Sequence, residues 1–588
     1  MLKRKTLPSL ALSLTTLAML SACGGGGGSG SGGTATPAAE PSVKLSGTAA
    51  TGAALVNASV SVKCAQASGT ATTDANGAYS LTLSGAALPC VIQVSGDQGG
   101  VAVTLHSVAE AGSTDAASGT TSAAANVTPL TEMIVAQLNA GLPSDLFAGF
   151  GSGSTVSTTQ LQAATQAVLS ALKDATGIDL GSIDPFKATL VAATTSAPNG
   201  GNEYDKLLDQ LGDKVSPEAL PQVVNQIASA AGSGGTTTLG EVMQAVEQGP
   251  LAGCPVAVSG KYRSIDHFGL ATVRLIDFSA GTYKSPNGAL SLSITADPAK
   301  PCEFVAAGTQ GTDSLRFDIA MGSAGVAVYR SQNLTQNRTS VGYLFPLQAH
   351  AKSSLLGTWN MLQSGYASDT DGFVHWMNRL TVKADDLIDI CDIDYRSNPG
   401  TCTPETDTSL SLAARSDGGF DVNEGGATTA LVYGYRSPAG VLNAFGTTNP
   451  EGVNTAQTEQ THFILTKHAT LPVPAVGTVS KYFDAQLNRA MGGVNETTAP
   501  KAESNTVYSV NGSAVTRVRA SDSRYDTVHF NDPLPGVRRR EAGVGPDSQP
   551  FAELYQFGVP GAGLTVSINA QPYGPTRSHI YAPSVSRN

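Results

Sequence analysis

The densest group of side chains able to do chemistry is acidic: Asp385, Asp386, Asp389, Asp392 and Asp394, with Asp369 and Asp371 shortly before them. Calcium takes about six to eight oxygen ligands, and on an extended strand Asp392 and Asp394 face the same way. Asp389, Asp392 and Asp394 are therefore the candidate metal ligands, and calcium is the one cofactor the sequence suggests. Against this, Asp369-Thr370-Asp371-Gly372 has Ala367 where an EF-hand loop carries its first acid, so a solvated acidic loop is the competing reading. Both tryptophans of the chain, Trp359 and Trp376, lie close by, with Tyr366, Phe373 and His375 between them. Aromatic faces beside carboxylates suit sugar binding, which makes Trp359, Tyr366 and Trp376 a candidate ligand surface. The same rings suit a β core, where each buries roughly 150 to 250 Å².

The motifs of common enzymes are missing. There is no G-x-S-x-G elbow, no H-E-x-x-H pair, no phosphate-binding loop and no dinucleotide fingerprint, and no catalytic residue is nominated. The eight histidines are scattered. His462 and His468 are six residues apart, about 20 Å of extended chain, too far to share an ion, so both are expected at the surface or packed. Arg538-Arg539-Arg540 lies between turn signals and reads as a solvated loop, with a contact to an acidic neighbour or a lipopolysaccharide phosphate as the sharper alternative.

At the N-terminus, Lys3, Arg4 and Lys5 precede an apolar stretch from Leu7 to Leu20, the layout of a secretory signal and too short to span a bilayer. It ends in Leu20-Ser21-Ala22-Cys23, which resembles the bacterial lipoprotein cleavage box. The resemblance implies that Cys23 receives a diacylglycerol group and becomes the mature N-terminus. Because Gly24 and not aspartate follows, it also implies the outer membrane or cell surface. Acyl chains contribute about 0.8 kcal/mol per buried methylene, so such a protein needs no transmembrane helix. Six cysteines remain, and six allow fifteen pairings. They fall into three local pairs, each within one expected module: Cys64 with Cys90, Cys254 with Cys302, and Cys391 with Cys402. None has Cys-x-x-Cys spacing, so they are expected to be structural disulfides formed in an oxidising compartment.

Composition agrees with export. The formal net charge is −11, and loss of the three basic signal residues would take it to −14. A surface this acidic does not bind nucleic acid non-specifically. Only 14% of residues are charged while Gly, Ser, Thr and Ala abound, a balance familiar in extracytoplasmic β-rich proteins.

The elements fall into segments. Residues 1–22 form the signal, and 23–42 a Gly/Ser-rich tether too poor in apolar residues to bury anything. Short alternating runs from Val43 to Ser107 predict a small β-sandwich, with Asp74-Ala75-Asn76-Gly77 as a tight turn before Tyr79. The string from Gly47 to Val62, together with Thr73-Asp74-Ala75-Asn76-Gly77-Ala78-Tyr79-Ser80, resembles the carboxypeptidase-regulatory-like, transthyretin-like fold. That resemblance implies an accessory module over 43–110 and carries no catalytic residue. Between 126 and 248, a cap within Asn126-Val127-Thr128-Pro129-Leu130-Thr131 with proline in the first turn, the capping box Ser157-Thr158-Thr159-Gln160, the start Ser216-Pro217-Glu218 and the cap Thr238 to Glu241 open four amphipathic helices. Beyond Gly253 the apolar period changes from 3.6 to 2. Ser259-Gly260-Lys261-Tyr262, Leu356-Gly357-Thr358-Trp359 and Val476-Gly477-Thr478-Val479 open similarly. Their spacing predicts three β modules of related build, 254–355, 356–475 and 476–588, each a sandwich or a small barrel. Gly, then a basic residue or Thr, then an aromatic is also seen at the first strand of lipocalin-like barrels.

The expected protein is multidomain and mainly β: a transthyretin-like β-sandwich, a short helical bundle and a large antiparallel region. Its expected function is that of a lipid-anchored envelope protein, non-enzymatic, binding or presenting a glycan, another envelope or extracellular polymer, or a protein through loops. The alternative is a secreted glycosidase-like hydrolase with carboxylates gathered from distant strands of the C-terminal region.

Overall fold

The computed structural model describes residues 41–151, 153–232, 237–367, 372–385, 387–392, 403–404, 410–448, 460–489, 495–569 and 579–587. Mainly β architecture is observed, with several antiparallel sheets and barrels and six α-helices among the described residues.

The first module is a two-sheet sandwich. One sheet has the order Ala78–Ser84, Ser42–Thr48, Thr120–Ala124, Ser113–Asp115, and the other Ser68–Thr72, Ser59–Cys64, Cys90–Gln98, Val101–Ala109. Alternation explains it: Val60, Val62 and Cys64 turn inward while Ser59, Ser61 and Lys63 do not. The Asp74 carboxylate accepts from the N–H groups of Asn76 and Ala78 at 2.8 and 2.9 Å. Gly77 then takes φ +74°, where a Cβ would lie 2.4 Å from the Ala49 carbonyl oxygen, so the turn requires glycine. Cys64 and Cys90 sit opposite each other on adjacent strands and are joined by a disulfide.

Helices α1 (Pro129–Asn139), α2 (Pro143–Gly149), α3 (Thr158–Thr176), α4 (Glu203–Lys214), α5 (Leu220–Ala231) and α6 (Leu239–Glu247) pack with the sandwich on one apolar core. Thr128, Ser157 and Thr238 cap three of the helices, each side chain accepting a backbone N–H three residues on, whereas the helix expected to open at Ser216 begins at Leu220, with Ala219 at its N-cap and no side-chain cap. Two helices exceed the four expected. The apolar face of α4 is spaced Tyr204, Leu208, Leu211, but six charged residues between Glu203 and Lys214 dilute it. The whole of α2 is one short segment of seven residues.

Among the described residues the remaining chain forms three up-and-down barrels of eight strands each, the second with the short strand Thr403–Pro404 added beside Leu387–Asp392. The first runs from Gly260–Asp266 to Arg338–Pro346, whose pairing with each other closes it. The second is built from Gly357–Ala367, Gly372–Val382, Leu387–Asp392, Leu410–Ala414, Phe420–Glu424, Ala427–Arg436, Leu442–Thr447 and Gln460–Lys467. Its ring closes because Gly357–Ala367 pairs with both Gly372–Val382 and Gln460–Lys467. The third runs from Val479–Arg489 to His579–Ser586, again closed by its first and last strands. The three similar openings at Gly260, Gly357 and Gly477 each lie at or just before the first strand of one barrel. Full closure leaves no long free edge for another chain to extend.

Outward-facing residues of all three barrels share one core, including Tyr343 and Phe345 from the first, Leu362 and Phe445 from the second, and Phe483 and Phe557 from the third. Both faces of many strands are consequently apolar, which blurs the alternation that a single exposed barrel would show.

Candidate ligand-binding cavity

Three barrels of one topology have three different interiors. The first is filled: Tyr262, Tyr283, Phe304 and Tyr329 are buried inside it, with ring contacts such as Phe278 to Phe304 at 4.9 Å. In addition, the Cys254–Cys302 disulfide ties the segment leading into this barrel to its wall.

The second barrel is lined differently. Along Gly357–Ala367 the odd positions Trp359, Met361 and Gln363 turn inward, while Leu362 joins the shared outer core. The two neighbouring strands contribute Leu380 and Leu465, and strands further round contribute Ile388, Leu412 and Val432. With Trp359 and Phe463 as its aromatic lining and mostly aliphatic side chains elsewhere, this barrel encloses a cavity of about 640 Å³. That size falls within the range of roughly 300 to 1,000 Å³ typical of small-molecule sites, and an eight-stranded barrel is just wide enough for one small ligand.

One end of this cavity is closed by fixed chemistry. A 3₁₀ turn, Lys352–Leu355, leads into the barrel, and the fully buried Trp359 donates its indole N–H to the Leu355 carbonyl at 2.8 Å. The Lys467 ammonium lies 3.6 Å from the centre of the Trp359 ring and donates to the Leu356 carbonyl at 2.8 Å. Partial burial holds the Lys467 pKa below the usual lysine value. Polar lining residues collect toward the other end: Gln363, Glu424, Thr428, Thr429 and Thr448. Strand direction accounts for the separation, since Gly357–Ala367 starts at the Trp359 end whereas Ala427–Arg436 starts at the opposite end and runs antiparallel to its neighbours. The result is a pocket with an apolar base and a polar mouth. Among the described residues that line it, none is a nucleophile hydrogen-bonded to a base.

Of the aromatic trio singled out by sequence, the structure therefore places Trp359 in a cavity wall. Trp376 pairs across from Gln363, near the polar end, and is not among the lining residues. Tyr366 belongs to the same strand as Trp359, but its side chain lies outside the described residues. Among the metal candidates, Asp389 lies 2.7 Å from the Lys383 ammonium, a partner that competes with any cation. The side chain of Asp392 and all of Asp394 lie outside the described residues, as do Cys23 and Cys402. Cys391 is disulfide-bonded. No group of His, Cys, Asp and Glu suited to a metal ion occurs among the described residues.

Two expectations about charged and polar side chains are sharpened. His462 is packed, with its ring 4.9 Å from that of Tyr581 in the shared core, and burial lowers its pKa to about 3. His468 is instead bonded through Nδ1 to the Asn360 side-chain oxygen at 2.7 Å. The reading of Arg538-Arg539-Arg540 as a solvated loop is corrected: the triplet belongs to the barrel strand Val537–Arg540. Arg538 and Arg540 line the interior of the third barrel, while Arg539 pairs with Asp532 and Glu553 at 2.8 and 3.1 Å. The triplet also goes with Arg517 and Arg519, which line the same interior from the strand Ala514–Arg519. Basic residues at i and i+2 in two strands were the available signal.

No family model matches the chain, and no curated protein does. Solved structures that resemble it include a protein of unknown function from the DUF3598 family of Nostoc punctiforme, at 11% identity, covering 40% of this chain and 96% of that one, with a TM-score of 0.16. Another is the isotype 1 transferrin binding protein B of serogroup B Neisseria meningitidis, at 8% identity over 54% of this chain and 66% of that one, TM-score 0.17. A double mutant of transferrin binding protein B from Haemophilus parasuis matches at 8% identity over 54% and 65%, TM-score 0.15.

Proposed function

We propose that this chain is a lipid-anchored, non-enzymatic envelope protein whose second barrel binds a small amphipathic molecule, acyl chain inward and polar head at the mouth. The observation that carries the reading is the cavity of about 640 Å³ with Trp359, Leu380, Leu412 and Leu465 at its apolar part and Glu424 and Thr448 at its polar part. Each methylene moved from water into such a site is worth about 0.8 kcal/mol, so affinity should rise roughly fourfold per carbon until the space is filled. Support for the anchor comes from Cys23 and the segment before it; the partner at the membrane is the lipid itself, and a glycan or an envelope protein would meet the barrel loops. A series of saturated fatty acids of increasing length, titrated calorimetrically into the Cys23→Ala chain, tests the binding site. Affinity that climbs with length and then levels supports it, and affinity that does not depend on length refutes it.

The hydrolase alternative has one favouring feature. Asp484 and Asp526 line a common cavity in the third barrel, and burial pushes the Asp484 pKa up to about 7. Asp526, however, is ion-paired with Arg524 at 2.8 Å. Release of nitrophenol from nitrophenyl glycosides by the purified chain would favour this alternative over the binding reading.

A further inference from the structure

The third barrel encloses a cavity of about 530 Å³ whose wall is charged. Six basic side chains line it, Lys481, Arg517, Arg519, Arg524, Arg538 and Arg540, against three acidic ones, Asp484, Glu496 and Asp526. In a protein of net charge −11 this is an inversion of sign confined to one interior. Two of the arginines are neutralised locally: Arg519 pairs with Asp522, and Arg524 with Asp526. The other three have no carboxylate at ion-pair distance among the described residues. Arg517 has no hydrogen-bonding partner for its side chain among the described residues. Arg538 donates to the Thr565 hydroxyl at 3.0 Å and Arg540 to the Ala552 carbonyl at 2.6 Å. In each of the three the Nε–H is buried and has no acceptor among the described residues.

Asp526, already paired with Arg524, acts on Arg517 and Arg540 only from beyond ion-pair distance, and the charge felt by Arg538 is that of Arg517. Burying these guanidinium groups together is costly, since each buried ion loses hydration worth several kcal/mol and they repel one another. Burial and the neighbouring Arg517 depress the Arg538 pKa to about 10. A fold does not accumulate such a cost in one place for packing alone, because the end of the same barrel filled by Val507, Val515, Val528 and Phe530 shows that apolar residues fit there. Acceptors are also left over: Asn505 Oδ1 and Gln556 Oε1 are buried without a donor.

We propose that the third barrel binds a small polyhydroxylated anion, a sugar acid or sugar phosphate, with its carboxylate or phosphate held by Arg517, Arg538 and Arg540 and its hydroxyls by Asn505 and Gln556. Guanidinium forks match both oxyanions, and hydrogen bonds to ionised groups are the stronger class. This site is separate from the apolar cavity of the second barrel and stands without it.

The test is calorimetric titration of the full-length Cys23→Ala protein at low ionic strength with glucuronate, glucose 6-phosphate and, as the neutral control, glucose. One of the two charged sugars should bind at one site per chain while glucose does not, and which of them binds tells a carboxylate site from a phosphate site. Arg517→Gln and Arg538→Gln should each weaken that binding about tenfold or more. Arg539→Gln sits on the same strand but faces outward, and should leave binding unchanged; it controls for disturbance of the strand. A thermal melt like that of the parent shows that each variant is folded. Absence of binding by both charged sugars up to about 10 mM, or binding that survives the two interior substitutions in folded protein, overturns the proposal.

Discussion

Replacing Ala430 with tryptophan separates a ligand cavity from an ordinary core. Ala430 is buried in the wall of the second barrel, opposite Val422 on the neighbouring strand, with its methyl group toward the central space. In a filled interior such a substitution overpacks and costs typically about 1 to 3 kcal/mol. Here the indole has about 640 Å³ to enter. Burying on the order of 100 Å² of added apolar surface at about 25 cal/mol per Å² would stabilise the protein by up to about 2.5 kcal/mol, less whatever rotamer strain arises. The same ring displaces roughly four methylenes of a bound acyl chain, a loss of about 3 kcal/mol or more than a hundredfold in affinity. Denaturant unfolding gives the first number and calorimetry with dodecanoate the second. Ala430→Trp should be at least as stable as the parent and bind far more weakly. A variant that loses stability by overpacking, or one that binds as tightly as the parent, would refute the reasoning.

Other consequences can be checked in turn. Cys23→Ala should move the protein from the membrane pellet to the soluble envelope fraction, and persistence in the pellet contradicts an acyl anchor. Opening the Cys64–Cys90 or Cys254–Cys302 bridge with alanine pairs should cost about 3.5 and about 4 kcal/mol by loop-closure entropy over separations of 26 and 48 residues. Equal urea midpoints for parent and variants would exclude that contribution. Stability should also fall in mild acid. Burial lowers the pKa of His267 and His462 to about 3 from the usual 6.5, so below pH 6.5 the unfolded chain takes up protons that the folded one refuses. Each of these, and His350 for the same reason, therefore withdraws up to about 1.4 kcal/mol per pH unit between 6.5 and 3, partly offset by Asp266 and Asp484, whose burial raises their pKa to about 6 and about 7 and so favours the folded chain as pH falls. Denaturant midpoints that do not shift between about pH 7.5 and pH 5 would contradict this.

What the sequence disclosed and what it concealed follow the range of the interactions involved. Local signals were readable: the Thr128 and Thr238 caps, the Asp74–Gly77 turn, and the three glycine openings that stand at the first barrel strands. Cysteine spacing pointed to Cys64–Cys90 and Cys254–Cys302 for the same reason, each pair lying within one module or at its edge. The choice between sandwich and barrel was out of reach, because closure depends on a pairing such as Gly357–Ala367 with Gln460–Lys467, about a hundred residues apart. Cavities were equally hidden. Trp359 in a cavity wall and Tyr283 in a filled interior have the same local context, an aromatic at an inward strand position; the difference lies in what stands across the barrel. Arg538 and Arg540 looked like solvent-facing residues because alternation marks one face of a strand without saying whether that face meets water or an enclosed charged space.

The central claim is that the second barrel holds an acyl chain against Trp359. With Trp376→Phe, Trp359 becomes the single tryptophan of the chain, and cis-parinaric acid absorbs where it emits. Titration of this variant should quench tryptophan emission and sensitise the probe, saturating near one equivalent and reversing on addition of dodecanoate. Tryptophan emission that the probe leaves unchanged, or quenching that never saturates and that dodecanoate does not reverse, would contradict the account.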